Sequence, residues 1–264
     1  MKFPGTIRVV GAIARVSFLE VVRDRVLYNV LVFTFLLFAV GILASRLAVV
    51  MSSERVILDF GLSALRLSEL AVGIFVGSSL LIREVERRTI HVALSHPITR
   101  TQFVFGKYGG LLGLLILNWV LSTGAYFLLL ILFSDGKFQY SPTLGWAVAF
   151  VGLEGLLMGS LAVFFSSFTT TSLSVIFCFG LYLLGTNISQ MRLLAEQSAG
   201  SLQGMGLDFL ARVLPNFEHF NLGLKVTYQI SVPGAFLAYG SAYGVVLILF
   251  FLGMAGVLLG FKEI

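Results

Sequence analysis

Residues 82–107 read IREVERRTIHVALSHPITRTQFVFGK, the densest run of charge in this 264-residue chain. Hydrophobic runs flank it at 70–82 and 108–133. A Lys- and Arg-rich loop between two apolar spans belongs on the cytoplasmic side of a membrane. Arg83, Glu84, Glu86, Arg87 and Arg88 continue the preceding helix out of the bilayer, and residues 89–94 form a mostly apolar stretch. Ser95-His96-Pro97 breaks it, because the residue before proline is pushed out of helical geometry. Thr99 followed by Gln102 matches a capping box, so a new helix is expected from Arg100 into the next span.

The composition carries the same message outward. The chain is 58% hydrophobic and 12% charged, whereas soluble domains hold about 25% charged residues. Several windows of roughly 20 residues are nearly free of charge, as a bilayer span requires. The net charge is +5. It sits beside spans, where topology explains it better than nucleic acid does. Cys178, the single cysteine, excludes an intrachain disulfide and a multi-cysteine metal site. Charges at Arg15, Glu20, Arg23, Asp24 and Arg25 interrupt any signal-peptide core.

Residues 5–25 place Arg8, Arg15 and Arg23 along one side of a 3.6-residue period, with valines, isoleucine and leucine between them. This reads as an amphipathic helix at the cytoplasmic interface; a straight extension of the first span is the other reading. Six spans are expected, at 26–50, 69–82, 108–133, 144–165, 173–188 and 236–261. Residues 51–68 before the second read as an outer linker; the second is short for a span, and either borrows turns from 64–68 or is tilted and buried among other helices. Residues 134–143 make an outer turn, and 189–235 the longest non-spanning region. Both termini and the 83–107 loop then lie inside. The inner segments hold Lys2, Arg8, Arg15, Arg23, Arg25, Arg83, Arg87, Arg88, Arg100, Lys107 and Lys262, eleven of the eighteen Lys and Arg residues, in keeping with the positive-inside rule.

No phosphate loop, H-E-x-x-H or G-x-S-x-G motif is present. His91, His96 and His219 are scattered, so no metal site is expected. Glu154 stands out as the acidic residue well inside a span, and an intramembrane carboxylate points to function by default. It either takes a proton or cation, or is paired between helices. Asn118, Trp119 and Ser122 are weaker polar candidates, with helix–helix hydrogen bonding as the plain account. Glycines four apart recur at 73/77, 106/110, 109/113, 155/159, 240/244 and 256/260. They suit either a sliding or homodimeric seam or ordinary membrane packing.

Glu84, Glu86, Arg87, Arg88, Thr89 and His96 read as a docking surface for an energising subunit, the other reading being a solvated loop that sets topology. Ile90, Val92 and Leu94 favour docking over a purely solvated loop, which has no need of apolar residues between its charges.

Residues 83–90 (REVERRTI), 94–100 (LSHPITR) and 105–107 (FGK) resemble the loop after the second span of ABC-2 type permeases. The branch it most resembles serves copper-enzyme maturation, including that of nitrous oxide reductase. Residues 214–221 (LPNFEHFN) are similar to that branch's signature before the last span, and residues 15–27 resemble its elbow helix. The resemblance covers essentially the whole chain. It implies an all-α membrane protein of six spans that dimerises and binds two cytoplasmic ATPase subunits, with ATP and Mg held by those partners and no cofactor on this chain. Residues 84–94 then become the coupling element, with Arg15, Glu20 and Arg23 on the elbow. Pro215, Asn216, Glu218, His219 and Asn221 face outward, toward a possible periplasmic partner. The expected location is the bacterial or archaeal cytoplasmic membrane. Two rival readings are a secondary transporter using Glu154 and a scaffold anchoring an outer assembly through 189–235.

Overall fold

The computed structural model describes residues 6–23, 25–47, 53–86, 99–133, 141–198 and 201–261. Within them the chain is helical, with no strand. The helices are α1 (Thr6–Val22), α2 (Arg25–Leu47), α3 (Ser53–Leu80), α4 (Ile82–Glu86), α5 (Arg100–Phe133) and α6 (Pro142–Ser166). They continue as α7 (Thr171–Gly185), α8 (Ile188–Gln197), α9 (Leu202–Val213), a 3-10 turn (Glu218–Phe220), α10 (Gly223–Thr227) and α11 (Gly234–Phe261).

Local chemistry sets several boundaries. The capping box forms at the start of α5: the Gln102 amide donates to Thr99 Oγ1 at 3.2 Å, and the Thr99 amide donates to Gln102 Oε1 at 3.0 Å. Two otherwise orphaned donors are satisfied at once. Ser141 caps α6, accepting from the Thr143 amide at 3.3 Å. Pro142 follows at the first helical position, where its missing N–H costs nothing.

Among the described residues, four helices are long and apolar enough to cross a membrane: those at 55–84, 100–132, 142–166 and 234–259. A fifth crossing arises if α7 and α8, bent by 61° about a short break, count together. The apolar part of α2, Val30–Leu43, falls short of that length. One boundary differs from the sequence reading. Residues 53–68, expected as an outer linker, are the first half of α3, so the short span at 69–82 is the second half of a 28-residue helix. Arg55, Asp59 and Arg66 interrupt its hydropathy but not its hydrogen bonding. Helix α7 ends at Gly185, within the stretch expected as the fifth span, and α8 continues from Ile188 after the bend. A Cβ there would stand 2.5 Å from the Pro215 carbonyl oxygen and 2.3 Å from the Phe217 ring, so this corner needs glycine.

α3 and α6 form the centre of the bundle, with α5, α11 and α2 around them. Their backbones nearly touch: a Cβ on Gly73 would lie 2.9 Å from the Gly155 carbonyl oxygen, and one on Gly77 3.1 Å from that of Gly159. Small residues permit such approach where dispersion and packing, not water exclusion, hold helices together. α1 lies on α5 in the same way, its Ile13, Ala14, Ser17 and Phe18 seated on Gly106, Gly109, Gly110 and Gly113. Gly240 and Gly244 admit Phe150, Leu153 and Phe220. These glycine pairs are therefore spent inside one chain. The outer belt is apolar: Phe35 and Leu36 on α2, Ile131 on α5, Ile176 and Phe179 on α7, and Val246 and Phe250 on α11 are exposed. A soluble monomer rarely shows so large a greasy surface, whereas hydrocarbon accepts it.

Candidate functional site

Three polar clusters interrupt this apolar bundle, one at each end and one at mid-depth. At the basic end, Lys107 Nζ on α5 donates to Glu84 Oε1 at 2.5 Å and to Glu20 Oε2 on α1 at 3.4 Å. Lys107 is 5% exposed, so the two carboxylates hold a nearly buried cation, and α1, α4 and α5 are tied at one point. Arg100 Nη1 donates to the Leu259 carbonyl at 2.6 Å, where cations favour helix C-termini. The start of α5 is thereby fixed to the end of α11. The charged loop departs from and returns to this junction. Of the coupling residues, Glu84 sits in it and Glu86 ends α4, while Arg87, Arg88, Thr89, Ile90, Val92, Leu94 and His96 lie outside the described residues. Arg15, Glu20 and Arg23 are exposed around α1.

At mid-depth, Arg66 on α3 grips Glu154 on α6 through both oxygens, Nε to Oε2 at 2.7 Å and Nη2 to Oε1 at 2.6 Å. The Glu154 side chain is 1% exposed and that of Arg66 16%. The Arg66 guanidinium lies 5.7 Å from the centre of the Tyr182 ring on α7, within cation–π range. The sequence left Glu154 either free to take an ion or paired; here it is paired, and by a residue read as part of a loop. Asn118 donates to Ser68 Oγ at 3.0 Å and to Glu69 Oε1 at 2.6 Å. Glu69 is fully buried, so α3 carries a second intramembrane carboxylate that the sequence reading did not single out. Its placement at the supposed start of a span concealed it. The available signal was spacing: Arg66, Glu69 or Leu70, Gly73 and Gly77 recur every three to four residues on a central helix. Trp119 is satisfied by the Val148 carbonyl at 2.9 Å.

The opposite end is organised by residues 214–221. Phe217 and Phe220 are buried. The Phe217 amide donates to the Gly185 carbonyl at 2.9 Å, and the Asn216 amide donates to the Tyr243 hydroxyl at 2.8 Å. Asn216 Oδ1 accepts from the Glu218 amide at 2.9 Å. The Glu218 carboxylate accepts from the Ser189 amide at 2.7 Å and from the Ser189 hydroxyl, placing negative charge at the N-terminus of α8. His219 stacks edge-on against Phe236 and Tyr243, with centroids 5.8 and 6.0 Å away. Asn221 Oδ1 accepts from the Gly223 amide at 3.2 Å. Pro215 contributes its carbonyl to the tight corner over Gly185. The motif is thus a clasp joining the α7–α8 bend to α11. Beside it a cavity of about 220 Å³ is lined by Asp59, Ser63, Arg66, Asn221 and neighbouring apolar residues. Among the described residues, no group of three or more His, Cys, Asp or Glu side chains gathers as a metal site would require.

A family model described as ABC-2 family transporter protein matches residues 11–262. The chain belongs to the ABC-2 transporter family. No curated protein matches it. The family match and the apolar helices make this a multi-pass membrane protein of the permease type. ABC-2 permeases are the membrane components of ABC transporters, generally without catalysis of their own, and normally work with ATPase partners.

Proposed function

We propose that this ABC-2 permease subunit couples ATP hydrolysis on a separate cytoplasmic ATPase to export or force transmission across the membrane. The supporting observation is the junction at the basic end. Lys107 binds Glu84 and Glu20, and Arg100 binds the end of α11. A push on the loop at 87–98 is then delivered to α1, α4, α5 and α11 together. From there it reaches α3 and α6, whose glycine-lined contact has little slack. In this reading the chain has six spans, with α2 as the first and the bent α7–α8 pair as the fifth. Both termini are cytoplasmic, α1 is the interfacial elbow, and two copies assemble with two ATPases that hold ATP and Mg.

The test is ATPase stimulation in reconstituted complexes. Replacing Glu86 or Arg87 by alanine is expected to reduce stimulation and ATPase recruitment while the helical content is unchanged. Unaltered recruitment and stimulation in both variants would refute the assignment of the loop.

A second reading, a scaffold for an outer-face assembly, has one observation in its favour. Leu202, Met205, Phe209 and Val213 form a stripe on α9 at 62–90% exposure. The ion-driven reading loses its original support, because both oxygens of Glu154 are engaged by Arg66.

A further inference from the structure

Glu69 is a buried carboxyl group with no cation partner among the described residues. It lies near the middle of the apolar stretch 55–84, enclosed by α3, α5 and α6, and is 0% exposed. Its Oε1 accepts from Asn118. Among the described residues its Oε2 has no hydrogen-bond partner, and neither has Asn118 Oδ1 or Ser122 Oγ one turn further along α5. Of the charged and titratable groups on the neighbouring turns, Arg66 on α3 and Glu154 on α6 are engaged with each other, and Tyr182 on α7 lies under the Arg66 guanidinium. At this level α5 offers the amide of Asn118, the indole of Trp119 and the hydroxyls of Ser122 and Thr123.

The Arg66 guanidinium is therefore committed to Glu154, and among the described residues Glu69 is left without a counter-cation. An unpaired charge in hydrocarbon is costly, and orphaned buried acceptors add to the cost. A single hydrogen on the acid answers both demands. An un-ionised acid is complementary to a primary amide: its carbonyl accepts from the NH2 group and its hydroxyl donates to the amide oxygen.

A bound metal cation suits the place less well. The helical backbone carbonyls are committed to their own ladders, and Ser68 Oγ already accepts from Asn118. Space is also short, since a Cβ on Gly155 would stand 3.0 Å from Glu69 Oε2. Contact with Gly155 on that side disfavours an ion that needs several oxygen ligands.

We infer that Glu69 with Asn118 is an intramembrane proton-binding site, in which the acid form of Glu69 ties α3 to α5. The carboxyl group is fully enclosed, so exchange of this proton requires the α3–α5–α6 junction to open. Proton occupancy is thereby linked to closure of the central packing, independently of which partner drives it.

The test uses the full chain in lipid at neutral pH and infrared difference spectra between wild type and variants. The un-ionised carboxyl C=O band is expected in wild type, lost in Glu69→Gln and retained in Glu154→Gln. Asn118→Leu gives a second arm that leaves the acid in place: the band persists there but moves to the frequency of an acid lacking its amide partner. Ionised-carboxylate bands alone in the wild-type minus Glu69→Gln difference would overturn the inference. So would an Asn118→Leu band identical to wild type. A melting temperature that rises with sodium in wild type and not in Glu69→Gln would overturn it in favour of a metal cation.

Discussion

Replacing Arg66 by alanine strands the Glu154 carboxylate in the bundle. Its side chain is 1% exposed, and both oxygens lose their partner together. Breaking a buried pair from one side costs about 3–5 kcal/mol, because the remaining charge is neither solvated nor paired. Arg66 is 16% exposed, so solvent screens part of the interaction and the lower end applies. About 3 kcal/mol corresponds to roughly a hundredfold shift in the folding equilibrium. Glu154→Gln keeps an acceptor for Arg66 and leaves a partly exposed cation, so its cost is smaller, about 1–3 kcal/mol. The double variant Arg66→Met/Glu154→Leu replaces the pair by apolar bulk and is expected to recover most of the loss, as apolar replacements of buried pairs often do. Reversible unfolding in mixed micelles, read by tryptophan fluorescence for the four proteins, gives the coupling energy directly. An Arg66→Ala protein within about 0.5 kcal/mol of wild type, or a double variant weaker than both single ones, would refute the reasoning.

Gly110→Leu is expected to dislodge α1 from α5, since even a Cβ at 110 stands 2.4 Å from Ser17 Cβ and 2.8 Å from the Phe18 amide; faster proteolysis of α1 is the readout, with the other helices protected as before. Glu218→Ala removes the acceptor of both Ser189 groups and should cost about 1 kcal/mol, in the range of a lost helix cap, with increased hydrogen exchange confined to the start of α8. Thr99→Ala opens the reciprocal pair at the start of α5 and is expected to cost about 1 kcal/mol and to weaken ATPase stimulation, because the returning end of the loop frays. A topology reporter fused after Ile264 should read cytoplasmic, and a periplasmic signal would break the six-span arrangement.

What the sequence made legible was local. The Thr99–Gln102 cap depends on residues three apart and was visible in the letters alone. So was the glycine spacing, whereas Pro142, read as part of the outer turn, opens α6. The centre of the bundle was hidden because its compensations are distant. Arg66 and Glu69 break the hydropathy of α3, and only α6 and α5 explain why they are tolerated there. Arg66 and Glu154 are 88 residues apart, and no window along the chain contains both. The bend after α7 was hidden for the same reason: the groups that crowd Gly185 there are Pro215 and Phe217. Residues 214–221 were recognisable as a motif, but their role as a clasp follows only from Gly185, Ser189 and Tyr243. The glycine pairs left a choice between a seam and internal packing, and the packing partners decided it for those at 73/77, 106/110, 109/113, 155/159 and 240/244.

The central claim is that residues 87–98 receive force from an ATPase. A photocrosslinker at Val92, activated in native membranes and followed by mass spectrometry of the adducts, tests it most directly. The account predicts a crosslink to a soluble ATPase that disappears when Glu86 and Arg87 are both replaced by alanine. Adducts only to extracytoplasmic proteins, with no ATPase among them, would contradict it.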